Sequence, residues 1–406
     1  MDHEVYTLNN GIRLVHKRVS SDVAHCGIFI NTGSRDEKPA EHGMAHYIEH
    51  VIFKGTKKRR AYHVISRLEN VGAEIDAYTT KEETCIYASF LKRYYDRTIE
   101  LLYDIVFNSI FPEHELKREK EVIIDEINSY RDNPSELIFE DFEEFIFPDH
   151  PLGRSILGTP ESLKGFTRQD IIDFIGNNYH TDQIVFCSVG NIRFGRLCSL
   201  FTKYFDGIRS GKRNSNRKSV EKNGRISKTI NRSTYQTHCV IGNTAYELKD
   251  KRRTGLFLLN NILGGQVMNS RLNLALREKH GYAYNIESSY TPYIDTGLLT
   301  IYFGTEKEHL EKSLDIVYYE LKKLRDRKLG ILQLSKAKKQ MAGQVAIAGE
   351  SNLAVMLSIG KSFLHLNRAD TIAEVLEKTE AVTSEELLDI ANELLDREKL
   401  SVLIYK

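Results

Sequence analysis

The chain has 406 residues, of which 41% are hydrophobic and 28% are charged, and its formal net charge is +1. This length is enough for two or three domains of ordinary size, with a core that needs no disulfide support. The composition is typical of a soluble globular protein. A net charge this close to zero gives no global signal for a nucleic-acid or membrane partner, so we expect neither.

The cysteines and the N-terminal residues bear on location. The five cysteines are widely spaced and form no C-x-x-C pair, which is typical of reduced, mostly buried thiols: Cys26, Cys85, Cys187, Cys198 and Cys239. The N-terminal residues show no basic region followed by an apolar run, and no apolar stretch is long enough to span a bilayer. We therefore expect a cytoplasmic protein.

Strand and helix patterns alternate in the first part of the chain. Met44, Tyr47, Ile48 and Val51 recur at helical spacing and predict a helix that ends before Gly55. Alternating or apolar runs predict four strands, Arg13–Lys17, His25–Asn31, Ala73–Tyr78 and Cys85–Phe90. Helical patterns predict three more helices, Tyr62–Val71, Tyr95–Asn108 and Glu113–Arg131.

Residues 209–232 form the clearest break, because Lys and Arg dominate them with Ser, Asn and Gly between. A basic stripe can bind nucleic acid. No aromatic residues that could stack on bases interleave with the charges, so we favour a solvated interdomain linker.

After this linker the order of elements recurs. The predicted strands are Thr237–Gly242, Tyr284–Ser289 and Gly297–Gly304, and the predicted helices are Thr254–Leu263 and Leu310–Arg325. The repeat predicts two similarly folded α+β domains, residues 1–208 and 233–406.

The motif His46-Tyr47-Ile48-Glu49-His50 carries the chemistry. Positions i and i+4 lie on one face of a helix, so both imidazoles can meet one cation, and Glu49 projects to nearly the same side. Two imidazoles and a carboxylate suit zinc with water in the open fourth position. A surface helix with two His and one Glu would show the same pattern, but apolar residues flank this one, and buried polar groups need partners. We therefore favour a zinc site.

The third ligand has to come from another element. Four carboxylates lie on the helix predicted after Pro112, namely Glu119, Glu121, Asp125 and Glu126. Glu119 and Glu126 are two turns apart and share a face. An ordinary charged helix would look the same, and the residues alone leave the choice among these carboxylates open.

The chain resembles the pitrilysin-type M16 metallopeptidases, which include the β subunit of the mitochondrial processing peptidase. H-x-x-E-H is the inverted zincin signature. The blocks NTGSRDE, HGMAHYIEHVIFKGTKKR, ENVGAEIDAYTTKEETCIYA, GRSILGT and LREKHGYAY occur in family order. The resemblance covers residues 5 to 330. It implies two homologous domains, each a mostly antiparallel sheet packed with helices.

The resemblance also assigns roles to residues. It implies one Zn²⁺ per chain, bound by His46, His50 and Glu126, with Glu49 as the catalytic base. Glu119 matches a carboxylate that supports the ligands without binding zinc. Arg277 and Tyr284 match an Arg/Tyr pair set to hydrogen-bond the substrate. The strand residues Ala77, Tyr78 and Thr79 match an edge that pairs with extended peptide.

From the motif and the resemblance together we predict a zinc-dependent endopeptidase that cleaves extended peptides or unfolded segments. The chain has half the length of the family's long members yet carries both the zinc motif and Arg277 with Tyr284. We therefore expect a homodimer in which each subunit completes the other's site, or a heterodimer with a related subunit. The alternatives are a non-catalytic, scaffold-like family member and a nucleic-acid-binding protein that uses residues 209–232.

Overall fold

The computed structural model describes residues 3–213, 217–221, 224–232 and 234–406. The strands are β1 (Glu4–Thr7), β2 (Arg13–Arg18), β3 (Val23–Ile30), β4 (Glu74–Thr79), β5 (Thr84–Leu91), β6 (Ile184–Gly190), β7 (Ser227–Ile230), β8 (Thr237–Ala245), β9 (Ala283–Pro292), β10 (Gly297–Thr305) and β11 (Ser401–Tyr405). The α-helices are α1 (Met44–Val51), α2 (Ala61–Glu69), α3 (Tyr95–Asn108), α4 (Glu113–Arg131), α5 (Pro134–Ile146), α6 (Pro160–Gly165), α7 (Arg168–Asn178), α8 (Phe194–Phe205), α9 (Arg253–Gly264), α10 (Leu310–Asp326), α11 (Ile331–Gly349), α12 (Asn352–Leu366), α13 (Ile372–Ala381) and α14 (Ser384–Leu394). Within these described ranges, no helix has the length and apolar character needed to cross a bilayer.

The predicted elements around the zinc motif are confirmed. Helices α3 and α4 begin and end at the predicted residues. Strands β4 and β5 form the predicted antiparallel pair. Helix α2 ends two residues earlier than predicted, and Gly72 follows with φ +71°, a left-handed conformation that stops a helix at little cost to glycine.

One compact unit of the chain, unit 1, contains a six-stranded sheet in the order β1-β2-β6-β3-β5-β4. Strands β2 and β6 are parallel, and all other neighbours are antiparallel. Strand β4 is an edge of this sheet. Because edge strands keep one row of backbone N–H and C=O groups unpaired, β4 can accept a further strand.

The second compact unit, unit 2, contains a five-stranded sheet in the order β7-β11-β8-β10-β9. It repeats the topology of the first sheet without β1, because β7 and β11 are its one parallel pair and β9 is its edge. The predicted α+β fold with two similar domains, each built on a mostly antiparallel sheet, is therefore confirmed.

The two units are not continuous in sequence, in contrast to the predicted domains 1–208 and 233–406. Unit 1 comprises Met1–Asn128, Arg154–Arg217 and Ala348–Thr371, and unit 2 comprises Ser129–Gly153, Lys218–Ile347 and Ile372–Lys406. The units are discontinuous because each sheet is covered by a helix from the other half of the sequence. Helix α12, late in the chain, buries the apolar face of the first sheet, and α5, early in the chain, buries a face of the second.

Helix α12 approaches the first sheet closely at one glycine. A Cβ at Gly360 would lie 2.1 Å from the ring of Phe29, so only glycine allows this approach. Met356 and Phe363 of α12 pack in one apolar cluster with sheet residues such as Val185. A helix synthesised after residue 350 is thus part of the core of unit 1.

The stretch 209–232 is not a purely solvated linker. Arg213 and Arg217 both form ion pairs with Asp36, whose side chain is 2% exposed. Ser227–Ile230 forms β7, which pairs with β11. Positions 214–216 and 222–223 of this stretch lie outside the described residues. Two of the basic side chains that could have met phosphates are therefore already paired with a buried carboxylate.

A buried hydrogen bond joins α12 to the turn between β4 and β5. Nε2 of His365 lies 2.8 Å from Oε2 of Glu83, and both side chains are almost fully buried. The hydroxyl of Tyr78 donates to Glu83 at 3.2 Å, and Nζ of Lys361 lies 3.4 Å away. Burial alone would raise the pKa of Glu83, yet hydrogen bonding to His365 and the charge of Lys361 hold it below its usual value.

We expect His365→Leu to lower the free energy of unfolding of unit 1 by about 3–5 kcal/mol, because the variant leaves the Glu83 carboxylate buried without its closest partner. Urea unfolding would measure the loss. Lys361→Met is the matched control, since Lys361 is half exposed and its removal should cost at most about 1 kcal/mol. Equal losses in the two variants would contradict this account of the buried pair.

Candidate metal centre

The helix that carries the H-x-x-E-H motif begins at the buried carboxyl group of Glu37. Both oxygens of Glu37 accept backbone hydrogen bonds, one from Gly43 N–H and one from Ala45 N–H, each at 2.9 Å. These N–H groups belong to the first turn of α1, where a helix has no internal acceptors. Burial raises the pKa of Glu37 to about 8, against the two N–H bonds that favour its charged form. Glu37 fixes where α1 begins.

Two glycines meet backbone to backbone at the same point. Gly43 has φ +93° and Gly158 has φ +77°, both in the left-handed region. A Cβ at Gly43 would lie 2.7 Å from Cα of Gly158, so neither loop tolerates a side chain here. Gly158 comes from the block GRSILGT, which therefore supports the start of the helix that carries both histidines.

His46, His50 and Glu126 form a cluster in which one ligand atom from each residue lies within 4.8 Å of the others. Nε2 of His46 lies 3.7 Å from Oε2 of Glu126, and Nε2 of His50 lies 3.5 Å from the same oxygen. These separations are longer than ordinary hydrogen bonds. Two ligands bound about 2.0–2.2 Å from one zinc ion at a tetrahedral angle would lie about 3.3–3.6 Å apart.

The state of the imidazoles also fits a metal. Burial lowers the pKa of His46 to about 4, and the neighbouring His50 adds to this effect, so His46 is neutral at pH 7. Neutral imidazole is the form that binds metal ions. Nδ1 of His46 is buried and finds no hydrogen-bond partner in the described part of the chain. The donor set of two imidazoles and one carboxylate is that of a zinc site with an open position.

The structure separates the four carboxylates of α4 that the sequence left open. Glu126 belongs to the cluster, whereas Glu119 lies on the far side of His50, with its Oε2 3.2 Å from Nδ1. Glu121 and Asp125 are exposed. The spacing of two turns between Glu119 and Glu126 brings both onto the face of α4 that meets α1.

Glu49 is half-buried beside the cluster but is not one of its three residues, and burial raises its pKa. Helix α1 packs against β4, the edge strand that contains Ala77, Tyr78 and Thr79. The backbone N–H of Ala77 donates to Oδ1 of Asp76 at 2.8 Å. A peptide that paired with this N–H would have to displace that contact.

Arg277 and Tyr284 lie together in unit 2. Arg277 stands in a π-helical segment, Asn273–Glu278, and Tyr284 near the start of the edge strand β9. The guanidinium carbon of Arg277 lies 4.7 Å from the centre of the Tyr284 ring, and Tyr284 is 79% exposed. The two side chains that the family resemblance paired are thus neighbours, and the ring of Tyr284 is largely exposed. Neither belongs to the metal cluster.

Sequence reasoning missed Glu37 and the glycine pair. Glu37 lies six residues before Gly43, outside the local spacing of a capping box, so no helix-start pattern identifies it. Gly43 and Gly158 come together only through folding. The one available signal was their position within blocks shared with the family.

Comparisons with known proteins identify M16 peptidases and zinc proteases as relatives of this chain. The profile of "Insulinase (Peptidase family M16)" matches residues 13–160, and that of "Peptidase M16 inactive domain" matches residues 165–341. An uncharacterised zinc protease of Bacillus subtilis is 32% identical over 98% of this chain and 97% of its own length. One of Streptomyces coelicolor is also 32% identical, over 98% of this chain and 88% of its own.

Solved structures show the same fold. The crystal structure of a protease from Helicobacter pylori has a TM-score of 0.93 at 21% identity, covering 100% of this chain and 99% of its own. A peptidase M16 inactive domain from Pseudomonas fluorescens also has a TM-score of 0.93, at 18% identity, covering 100% of this chain and 98% of its own. The family profiles and the relatives place the chain in the class of zinc proteases. Within that class, the chain belongs to peptidase family M16.

Proposed function

We propose that the protein is a zinc-dependent endopeptidase of the H-x-x-E-H type that hydrolyses peptide bonds in extended peptides or unfolded segments. The observation that carries this proposal is the cluster of His46, His50 and Glu126, with the half-buried carboxylate of Glu49 beside it. Three ligands hold one ion per chain and leave a position open, as in catalytic and unlike structural zinc sites.

Each residue then has a definite task. His46, His50 and Glu126 would hold the ion, which supplies Lewis acidity toward water and the substrate carbonyl. Glu49 accepts the proton of the attacking water and later donates it to the leaving amine. Burial of Glu49 supports this role, because a base whose pKa is raised toward neutrality transfers protons in both directions more readily.

The edge strand β4 supports the preference for extended substrates. A peptide added as a further strand would gain hydrogen bonds from the backbone of Ala77–Thr79, whatever its sequence. The side chain of Asp76, which occupies the N–H of Ala77, would then turn aside. Selectivity would come from a few side-chain pockets, and a stably folded protein would not present an extended segment.

The test is digestion of a peptide library by purified protein, with metal analysis of the same sample. We expect cleavage at internal bonds, loss of activity with a zinc chelator and recovery on adding zinc. A stably folded protein should resist cleavage, whereas its unfolded, carboxymethylated form should be cleaved. Unchanged cleavage after zinc removal would contradict the proposal. A zinc-loaded protein that cleaves nothing would favour the scaffold-like alternative.

We further propose a homodimer in which Arg277 and Tyr284 of one subunit complete the metal site of the other. The neighbouring positions of the two side chains support this, because Tyr284 is exposed and Arg277, which also lies 3.7 Å from Glu278, is partly exposed. A heterodimer with a related subunit would use the same surfaces.

A cytoplasmic location is supported by the free cysteines, four of which are buried.

Complementation tests sharing of residues between subunits. Glu49→Gln and Arg277→Ala should each be nearly inactive alone. After subunit exchange, half of the molecules are mixed dimers, each with one intact site, so activity should return to about a quarter of wild type. Exchange is followed with differently tagged subunits. A mixture that stays inactive although exchange is complete, or an active monomer, would exclude the shared site.

A further inference from the structure

Lys54 contacts the carboxylate that supports His50. Nζ of Lys54 lies 2.6 Å from Oε1 of Glu119, while Oε2 of the same carboxylate lies 3.2 Å from Nδ1 of His50. The side chain of Glu119 is 11% exposed and that of Lys54 is 24% exposed. One buried carboxylate therefore joins a cation to an imidazole of the metal cluster.

Helix geometry explains why these residues meet. Tyr47 and His50 are three apart on one face of α1, and Lys54 lies in the turn that follows this helix. On α4, Leu116 and Glu119 are three apart. The hydroxyl of Tyr47 donates to the carbonyl of Leu116 at 2.9 Å, one turn before the contacts at Glu119. A row of three contacts thus joins α1 to α4.

The backbone also fixes the position of Lys54. Its N–H donates to the carbonyl of Val51 at 3.1 Å, in the turn that follows α1. The next residue, Gly55, has φ +138°, a conformation that favours glycine. The carbonyl of Gly55 accepts a hydrogen bond from Ile110 N–H at 3.1 Å. The turn therefore holds the start of the lysine side chain beside α4.

We propose that Lys54 is a positioning residue of the metal site, which holds Glu119 so that this carboxylate accepts a hydrogen bond from Nδ1–H of His50. A neutral imidazole carries one N–H, so a proton on Nδ1 leaves the lone pair of Nε2 facing Glu126. Partners of this kind set the orientation and tautomer of ligating histidines. The inference rests on the proposed zinc site.

The ammonium group does two things that a neutral side chain would not. It occupies Oε1, so the carboxylate is anchored at both oxygens and cannot rotate away from His50. It also supplies a countercharge to an anion that is largely removed from water, and such an anion is costly when unpaired. Lys57 and Lys58 belong to the same basic run, but both are exposed, so they offer controls of identical chemistry.

The test is zinc affinity, measured by chelator competition without any substrate. Lys54→Met keeps the unbranched apolar part of the side chain and removes the ammonium group, and we expect zinc binding about 10-fold weaker. The zinc affinity of Lys54→Arg and that of the control Lys57→Met should both stay close to that of the wild type. In a Glu119→Gln background, Lys54→Met should have no further effect, because Lys54 acts through Glu119.

A spectroscopic measurement serves if Lys54→Met does not fold. In zinc-loaded wild type, ¹⁵N NMR of the histidines should show His50 protonated at Nδ1. Protonation at Nε2, wild-type zinc affinity in Lys54→Met, or equal losses with and without Glu119→Gln would each overturn the inference. A protein whose zinc affinity depends on Lys54 but which cleaves no peptide would instead overturn the proposed function and leave this inference standing.

Discussion

Replacing Glu49 with Gln should leave the zinc content unchanged and lower kcat by about 10²–10⁴-fold. The variant keeps the size of the side chain and its place on α1 but removes the proton acceptor. Zinc should stay bound because Glu49 is not among the three residues of the cluster. Metal analysis and peptide cleavage on the same preparation measure both quantities.

A matched control is Glu69→Gln, an exposed glutamate at the end of α2, which should keep normal zinc content and turnover. Loss of zinc from Glu49→Gln would make Glu49 a ligand. Near-normal turnover would mean that another group takes the proton. Either result would contradict the role of Glu49 as the base.

Replacing Glu126 with Gln should weaken zinc binding by well over about 100-fold, more than outer carboxylates typically contribute. The substitution removes the one anionic member of the cluster, whose Oε2 lies within 3.7 Å of both Nε2 atoms. Glu119→Gln should weaken binding about 10–100-fold, because Glu119 contacts His50 only through Nδ1. Zinc is removed from each variant and added back in the presence of a competing chelator, which measures the zinc affinity of the two variants.

Glu121→Gln controls for the loss of one negative charge from α4, since Glu121 is exposed on the same helix. Its zinc affinity should equal that of wild type. A loss at Glu119→Gln as large as that at Glu126→Gln would reverse the two assignments.

Local sequence patterns predicted most of the features that lie within a single helix or strand. The spacing of Met44, Tyr47, Ile48 and Val51 predicted α1, and the i, i+4 rule placed both imidazoles on one face of it. The repeated order of strands and helices predicted two similar sheets. These features depend on neighbours in sequence, so a single chain is enough to find them.

Features that depend on distant contacts could not be predicted in this way. The choice of Glu126 over Asp125 needs the packing of α4 against α1, and the sequence supplied it only through the family resemblance. Gly43 and Gly158 lie more than a hundred residues apart. Strand β7 is short and stands in a basic stretch, where its pairing with the C-terminal β11 leaves no local pattern.

Each sheet is covered by a helix from the other half of the sequence, and this arrangement has a consequence for synthesis of the protein. All three residues of the metal cluster have left the ribosome once residue 126 has emerged, but α12, which covers the first sheet, follows only with residues 352–366. An unfinished nascent chain therefore contains the whole H-x-x-E-H motif on an incompletely covered sheet. Truncated translation products should be inactive and readily degraded, so that proteolytic activity arises only when the chain is nearly complete.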